Sequence, residues 1–315
     1  MRHFIIVVCI FAALIFISAA GISRYWPIPK PFKLEYPAYF GNRISQPSDN
    51  PITEEGVYLG RRLFYETALS ANNRLSCASC HRQKLAFTDG KAFSTGFDGT
   101  PTSRNSMSLA NLLWVRHFFW DGRAAGLEQQ AQIPLAHPHE MGQSPEASAK
   151  KLQQSKDYPA LFANAFGTYT ITGSNIVKAL AQFERTLISA NSNYDKYLQG
   201  HYLPTPAELN GIRLFFGDSL PGQTSTTNAG CAHCHGGPKT FIELFHNNGL
   251  DAIPKDSGRE AITGQAYDRG RFRVVTLRNI ALTAPYMHDG RFNTLEQVLD
   301  HYSDHLQPSA TLSPF

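Results

Sequence analysis

Two pentads of one pattern, Cys77-Ala78-Ser79-Cys80-His81 and Cys231-Ala232-His233-Cys234-His235, constrain this chain more than anything else in it. C-x-x-C-H sets two thiols about one turn apart with an imidazole directly behind them. That is the attachment pattern of c-type haem: the thiols form thioethers to the porphyrin vinyls and the histidine is held beneath the iron. A bare C-x-x-C also serves thioredoxin-like redox pairs or half of a four-cysteine zinc site. Here the fifth cysteine, Cys9, lies in an apolar N-terminal run, so no thiol outside the pentads is left for disulfides or further metal ligands. Two covalent haems are the reading that uses both histidines.

The N-terminus supplies the compartment this chemistry needs. Met1-Arg2-His3 is basic, Phe4 to Ala20 is uncharged and apolar, and Ser18-Ala19-Ala20 is a small-residue cleavage site. Residues 1–21 therefore read as a secretory leader, with an uncleaved inner-membrane anchor as the alternative, and the expected location is the periplasm. The 315 residues, 42% hydrophobic and 17% charged, suffice for two ordinary domains. The formal charge of +4 is offset by two propionates on each haem, and no basic tract or aromatic-basic ladder points to nucleic acid.

Residues 22–50, rich in proline and aromatics, read as an extended arm. Thr53 then caps a helix with Glu54 and Glu55 in its first turn. Thr205-Pro206-Ala207-Glu208 is a capping box that opens a second such helix. The first helix carries Gly60-Arg61-Arg62-Leu63-Phe64 and the second Gly211-Ile212-Arg213-Leu214-Phe215, and each precedes a haem pentad. Downstream, Leu109-Ala110-Asn111, Asp121-Gly122-Arg123 and Leu127-Glu128-Gln129 recur at identical spacing as Leu277-Arg278-Asn279, Asp289-Gly290-Arg291 and Leu295-Glu296-Gln297. Three echoes in register indicate a tandem duplication. The expected fold is mainly α, two tandem cytochrome c-like helical domains over 51–197 and 204–307, each with one covalent haem. Ile176, Val177, Leu180, Phe183, Leu187 and Ile188 predict an amphipathic helix between them that ends near Ser192, and Asp195 to Pro204 reads as the linker.

The chain resembles the bacterial di-haem cytochrome c peroxidases and their MauG-like relatives. The resemblance rests on Phe87-Thr88-Asp89-Gly90, Arg104-Asn105-Ser106, Phe119-Trp120-Asp121-Gly122-Arg123, Glu140-Met141-Gly142, Phe183-Glu184-Arg185-Thr186-Leu187 and Pro285-Tyr286-Met287-His288-Asp289-Gly290-Arg291, which occur in family order. It implies peroxide reduction at the haem of His81 and electron transfer at the haem of His235. The electron donor would be a small cytochrome c or a cupredoxin. In the MauG-like alternative the oxidising equivalents act on a protein or other substrate. A second alternative is a di-haem carrier without catalysis.

The same resemblance assigns side chains. Helical spacing puts Tyr302 on one face with Leu295, Val298, Leu299 and Leu306, and the resemblance makes it an axial ligand of the second haem, with Met287 as rival. Phe97 stands where typical peroxidases carry a ligating histidine, so the first iron is expected to be open. Glu140 is the expected acid-base group with Gln130 nearby, while His137 and His139 read as surface-loop residues. Trp120 would pass electrons between the haems, and His288 occupies the matching place in the second repeat. Arg104, Arg273 and Arg278 would meet propionates. Asn105, with the carbonyls of Thr283 and Pro285, would hold a calcium ion.

Overall fold

The computed structural model describes residues 28–217 and 229–314. The expected leader and Cys9 lie outside the described residues. The described chain is mainly helical, with one two-stranded antiparallel sheet, β1 (Phe245–His246) against β2 (Phe272–Arg273). Among the described residues, no helix is long and apolar enough to cross a membrane.

The first half is built on helix α1 (Glu54–Phe64), which begins where Thr53 Oγ1 accepts the Gly56 N–H at 3.1 Å. The first pentad follows as a single turn, α2 (Cys77–Cys80). Helices α3 (Leu127–Ala136), α4 (Pro145–Gln153), α5 (Tyr158–Phe166) and α6 (Gly173–Arg185) complete this half. Helix α6 is the central one, in contact with α1, α3 and α4. It meets α1 so closely that a Cβ at Gly60 would lie 1.9 Å from the Ala179 carbonyl oxygen, so the repeat glycine is required by the crossing. Leu63 and Phe64 are sealed there at 0% exposure.

Two boundaries depart from the sequence reading. Helix α6 ends at Arg185, because its guanidinium bonds to Glu128 and to the Ser45 carbonyl, and the following Leu187 and Ser189 turn away to pair with Asn111. The expected linker holds a short helix, α7 (Asn193–Leu198), whose Asp195 is wholly buried in a two-oxygen ion pair with Arg278. The arm is also less detached than expected: Phe40 is buried, with its ring edge-on to Trp114 at 5.1 Å.

The second half contains α8 (Pro206–Phe216), opened by the Thr205–Glu208 capping box, the second pentad turn α9 (Ala232–His235), the hairpin, a short α10 (Glu260–Thr263) and α11 (Leu295–Asp304). Thr294 and Gln297 cap α11 reciprocally. The duplication is visible in the backbone. Asn111 and Asn279 both take positive φ, at 62° and 60°, as do Phe119 and Met287, at 66° and 74°. The bridge Phe118↔Ala124 recurs as Tyr286↔Phe292.

Candidate di-haem site

Each pentad lies in the wall of its own cavity. Cys77, Cys80 and His81 line one; Cys231, Cys234 and His235 line the other. All four thiols are unpaired. Because the pairs lie in separate cavities, and no group of three or more His, Cys, Asp or Glu is placed to hold a metal among the described residues, a four-cysteine zinc site is excluded.

Both histidines are fixed in the same way. His81 Nδ1 lies 2.8 Å from the Phe87 carbonyl, and His235 Nδ1 lies 3.0 Å from that of Val275 and 3.3 Å from that of Thr240. A carbonyl only accepts, so Nδ1 carries the proton in each and Nε2 keeps its lone pair for a metal. Burial lowers both imidazoles below their ordinary pKa, which keeps them neutral and ligating.

Asn105, Trp120 and Arg273 line both cavities and form the wall between them. Trp120 is held at both ends: its indole N–H donates to the Asn105 carbonyl at 2.9 Å and its own carbonyl accepts from Arg273 N at 2.7 Å. The His288 ring approaches it edge-on at 6.5 Å and stacks on Phe272 at 3.8 Å. Arg273 is buried with Nε unpartnered, and desolvation lowers its pKa to about 10. A buried guanidinium with an unpartnered Nε–H fits an anionic propionate. The other two expected propionate partners already hold carboxylates, Arg104 while lining the His81 cavity. Arg104 holds Asp256 through two bonds and Asp121 through a third. Arg278 holds Asp195 and the Pro238 carbonyl, and is absent from both cavity walls.

The cavities differ beyond this common frame. In the His81 cavity stand Glu140 and Gln130, whose buried Oε1 has no partner. Burial raises the Glu140 pKa, and His137, at 3.7 Å, together with Arg123 pulls against that rise. His139 instead pairs with Asp98 at 2.8 Å in the exposed loop. Phe97 packs over Gly142 and is absent from the cavity wall, which its neighbours Thr95 and Gly96 reach. Glu184, named in the sequence only within a family motif and given no role there, lines this cavity; its Oε2 is unpartnered, and burial lifts its pKa to about 8, opposed by Arg185. Its signal was present in the 4-residue spacing Ile176, Leu180, Glu184, which puts a carboxyl on the apolar stripe.

In the His235 cavity, Leu295, Val298, Leu299 and Tyr302 present one face of α11, as the spacing predicts. Leu306 lies instead beside Gly249. Tyr302 and Met287 converge: Asn248 Nδ2 is 3.3 Å from both the tyrosine hydroxyl and the methionine sulfur. Burial raises the Tyr302 pKa, with the Asn248 bond opposing. Asn105, Thr283 and Pro285 share this cavity, and Asn105 Nδ2 is engaged by the Lys91 carbonyl. His246 was also missed: its buried Nε2 is unpartnered in the same wall.

Paired cavities, each with a C-x-x-C-H turn and a fixed neutral imidazole, define a protein built for two haems. The comparisons agree. The family profile of the di-haem cytochrome c peroxidases matches residues 54–202. The methylamine utilization protein MauG of Methylorubrum extorquens is 37% identical over 266 residues, 82% of this chain and 71% of the relative. The cytochrome c551 peroxidase of Nitrosomonas europaea is 36% identical over 254 residues, 79% of this chain and 73% of the relative. A crystal structure of a MauG-like protein associated with microbial copper homeostasis is 40% identical with a TM-score of 0.79, covering 90% of this chain and 85% of that one. The chain belongs to the di-haem cytochrome c peroxidase family, oxidoreductases that use peroxide.

Proposed function

We propose that this chain is a periplasmic di-haem enzyme that reduces hydrogen peroxide in the His81 cavity with electrons relayed from the His235 cavity. The observation that carries the reading is the asymmetry of the two cavities: Glu140 and Gln130 stand in one, Tyr302 and Met287 in the other, and Trp120 lines both. The c-type haems, attached at Cys77 and Cys80 and at Cys231 and Cys234 within units 51–197 and 204–307, supply an iron for peroxide and a second iron for electron transfer. His81 and His235 would hold those irons.

The chain's own residues do the rest. Glu140 takes the proton from the inner peroxide oxygen and returns it to the outer one, and its raised pKa brings it closer to the working pH of a base. Gln130 offers an acceptor beside it. Trp120 bridges the cavities. Tyr302, with Met287 as rival, would hold the iron of the second haem; a phenolate would favour the ferric state, a thioether the ferrous. Asn105 Oδ1, with the Thr283 and Pro285 carbonyls, is the proposed oxygen set for a calcium ion. The donor is a small cytochrome c or a cupredoxin.

Tyr302 favours a second reading, the MauG-like one, in which the oxidising equivalents act on a protein substrate; likeness to MauG and to the MauG-like protein supports it. Mixing oxidised holoprotein with peroxide, with and without a reduced small cytochrome c, tests both. Rapid cytochrome oxidation supports the first reading, haem oxidation that persists beside the cytochrome supports the second, and haems inert to peroxide contradict both.

A further inference from the structure

Beside the His235 cavity, α7, α8 and the loop between them enclose a groove whose wall carries Tyr194, Tyr197, Tyr202 and Phe216. Phe215 and Leu277 line both the groove and the cavity. Thr240, whose carbonyl faces His235 Nδ1, lines the groove too. The rings run outward in contact: Phe215 to Phe216 at 5.0 Å, Phe216 to Tyr194 at 6.3 Å, and Tyr194 to Tyr197 at 6.4 Å, the last two stacked.

Tyr202 differs from the other groove phenols in its partner. Its hydroxyl donates to Glu208, 2.9 and 3.0 Å from the two carboxylate oxygens. A phenol that gives up an electron must also give up its proton, so a carboxylate in hydrogen-bond contact lowers the barrier. Glu208 is exposed, and the Thr205 N–H together with the Tyr202 and Thr205 hydroxyls holds its carboxyl below the ordinary range, hence ionised and able to accept. Tyr39 is also bonded to a carboxylate, Asp195, but that group is neutralised by Arg278.

We infer that Tyr202, with Glu208 as proton acceptor, is a one-electron oxidation site through which the His235 cavity draws electrons from the surface. The inference rests on the proposed peroxide chemistry and names its exit. Hydrogen peroxide, with two electrons and two protons, becomes two waters. One electron leaves Tyr202 while its phenolic proton passes to Glu208, giving a neutral phenoxyl radical. A one-electron reductant at the groove refills the site and Glu208 returns the proton; a second such turn supplies the second electron.

The test is freeze-quench EPR, with optical spectra, of oxidised holoprotein mixed with peroxide, for the wild type, Tyr202→Phe, Glu208→Gln and Tyr39→Phe. Glutamine keeps the capping box, and matching haem spectra before mixing show that each variant is folded. The expected result is a tyrosyl signal that falls at least about tenfold in Tyr202→Phe, weakens in Glu208→Gln and survives in Tyr39→Phe. A signal unchanged in Tyr202→Phe, or haems that respond to peroxide with no organic radical, overturns the inference alone. Haems that do not respond at all overturn the peroxide reading and this inference with it.

Discussion

The two copies of the Gly-x-Arg-Leu-Phe helix have nearly the same sequence and opposite surroundings. In α1, Gly60 touches the backbone of α6, and Leu63 and Phe64 are fully covered. In α8, a Cβ at Gly211 would meet nothing within 4 Å among the described residues, Leu214 is 42% exposed, and Phe215 faces the tyrosine-lined groove. Phe64 and Phe215, near the ends of the two copies, each line a cavity. Helix α6, inserted between the copies, covers only the first. One cavity thereby lies beneath packed helices and holds a carboxylate, and the other stands behind an aromatic surface.

The largest expected effect separates the cavities chemically. Glu140→Gln lowers peroxide turnover by roughly 10²–10⁴-fold, the usual worth of an acid-base group, and leaves the absorption of the His235 haem unchanged; stopped-flow spectra at each haem check this. Because burial raises the Glu140 pKa, wild-type turnover falls as pH drops through that raised value, and the variant loses this limb.

Next comes the join between the halves. Arg278→Ala leaves Asp195 buried and unpaired, which costs about 3–5 kcal/mol in denaturant unfolding. The glycines then test the packing contrast directly. Gly60→Ala forces a methyl onto the Ala179 carbonyl and destabilises by about 1–3 kcal/mol. Gly211→Ala adds a methyl in open space and stabilises by up to about 1 kcal/mol through helix propensity. Equal effects at the two sites would refute the contrast.

A separate effect lies in the pH dependence of stability. Glu184 is raised from 4.5 to about 8 in the folded protein. Its folded state thus binds more protons than its unfolded state between those values, and its contribution, fully present below pH 4.5, is lost as pH rises through about 8. Glu184→Gln flattens the stability profile over that window, measured by thermal unfolding.

Much of this was legible in the sequence because it is local. The C-x-x-C-H turns, the caps at Thr53 and Thr205, and the α11 face with Tyr302 depend on residues within a few positions of each other. What escaped depends on long-range pairing. Asp195 in a proline-flanked, glycine-containing stretch read as linker until Arg278, 83 positions away, reached it. Nothing local reveals Asp256 and Asp195 as the carboxylates that Arg104 and Arg278 hold. The exposure of α8 was equally invisible, since its sequence echoes a buried helix.

The division of labour between the cavities is tested most directly by EPR and optical spectra of the fully oxidised holoprotein, wild type and Tyr302→Phe, before and after one equivalent of peroxide. The account predicts one high-spin haem at His81 that reacts at once and one low-spin haem at His235 whose signal is lost or shifted in Tyr302→Phe. Two low-spin haems, inert to peroxide until partly reduced and unchanged by the substitution, would contradict it.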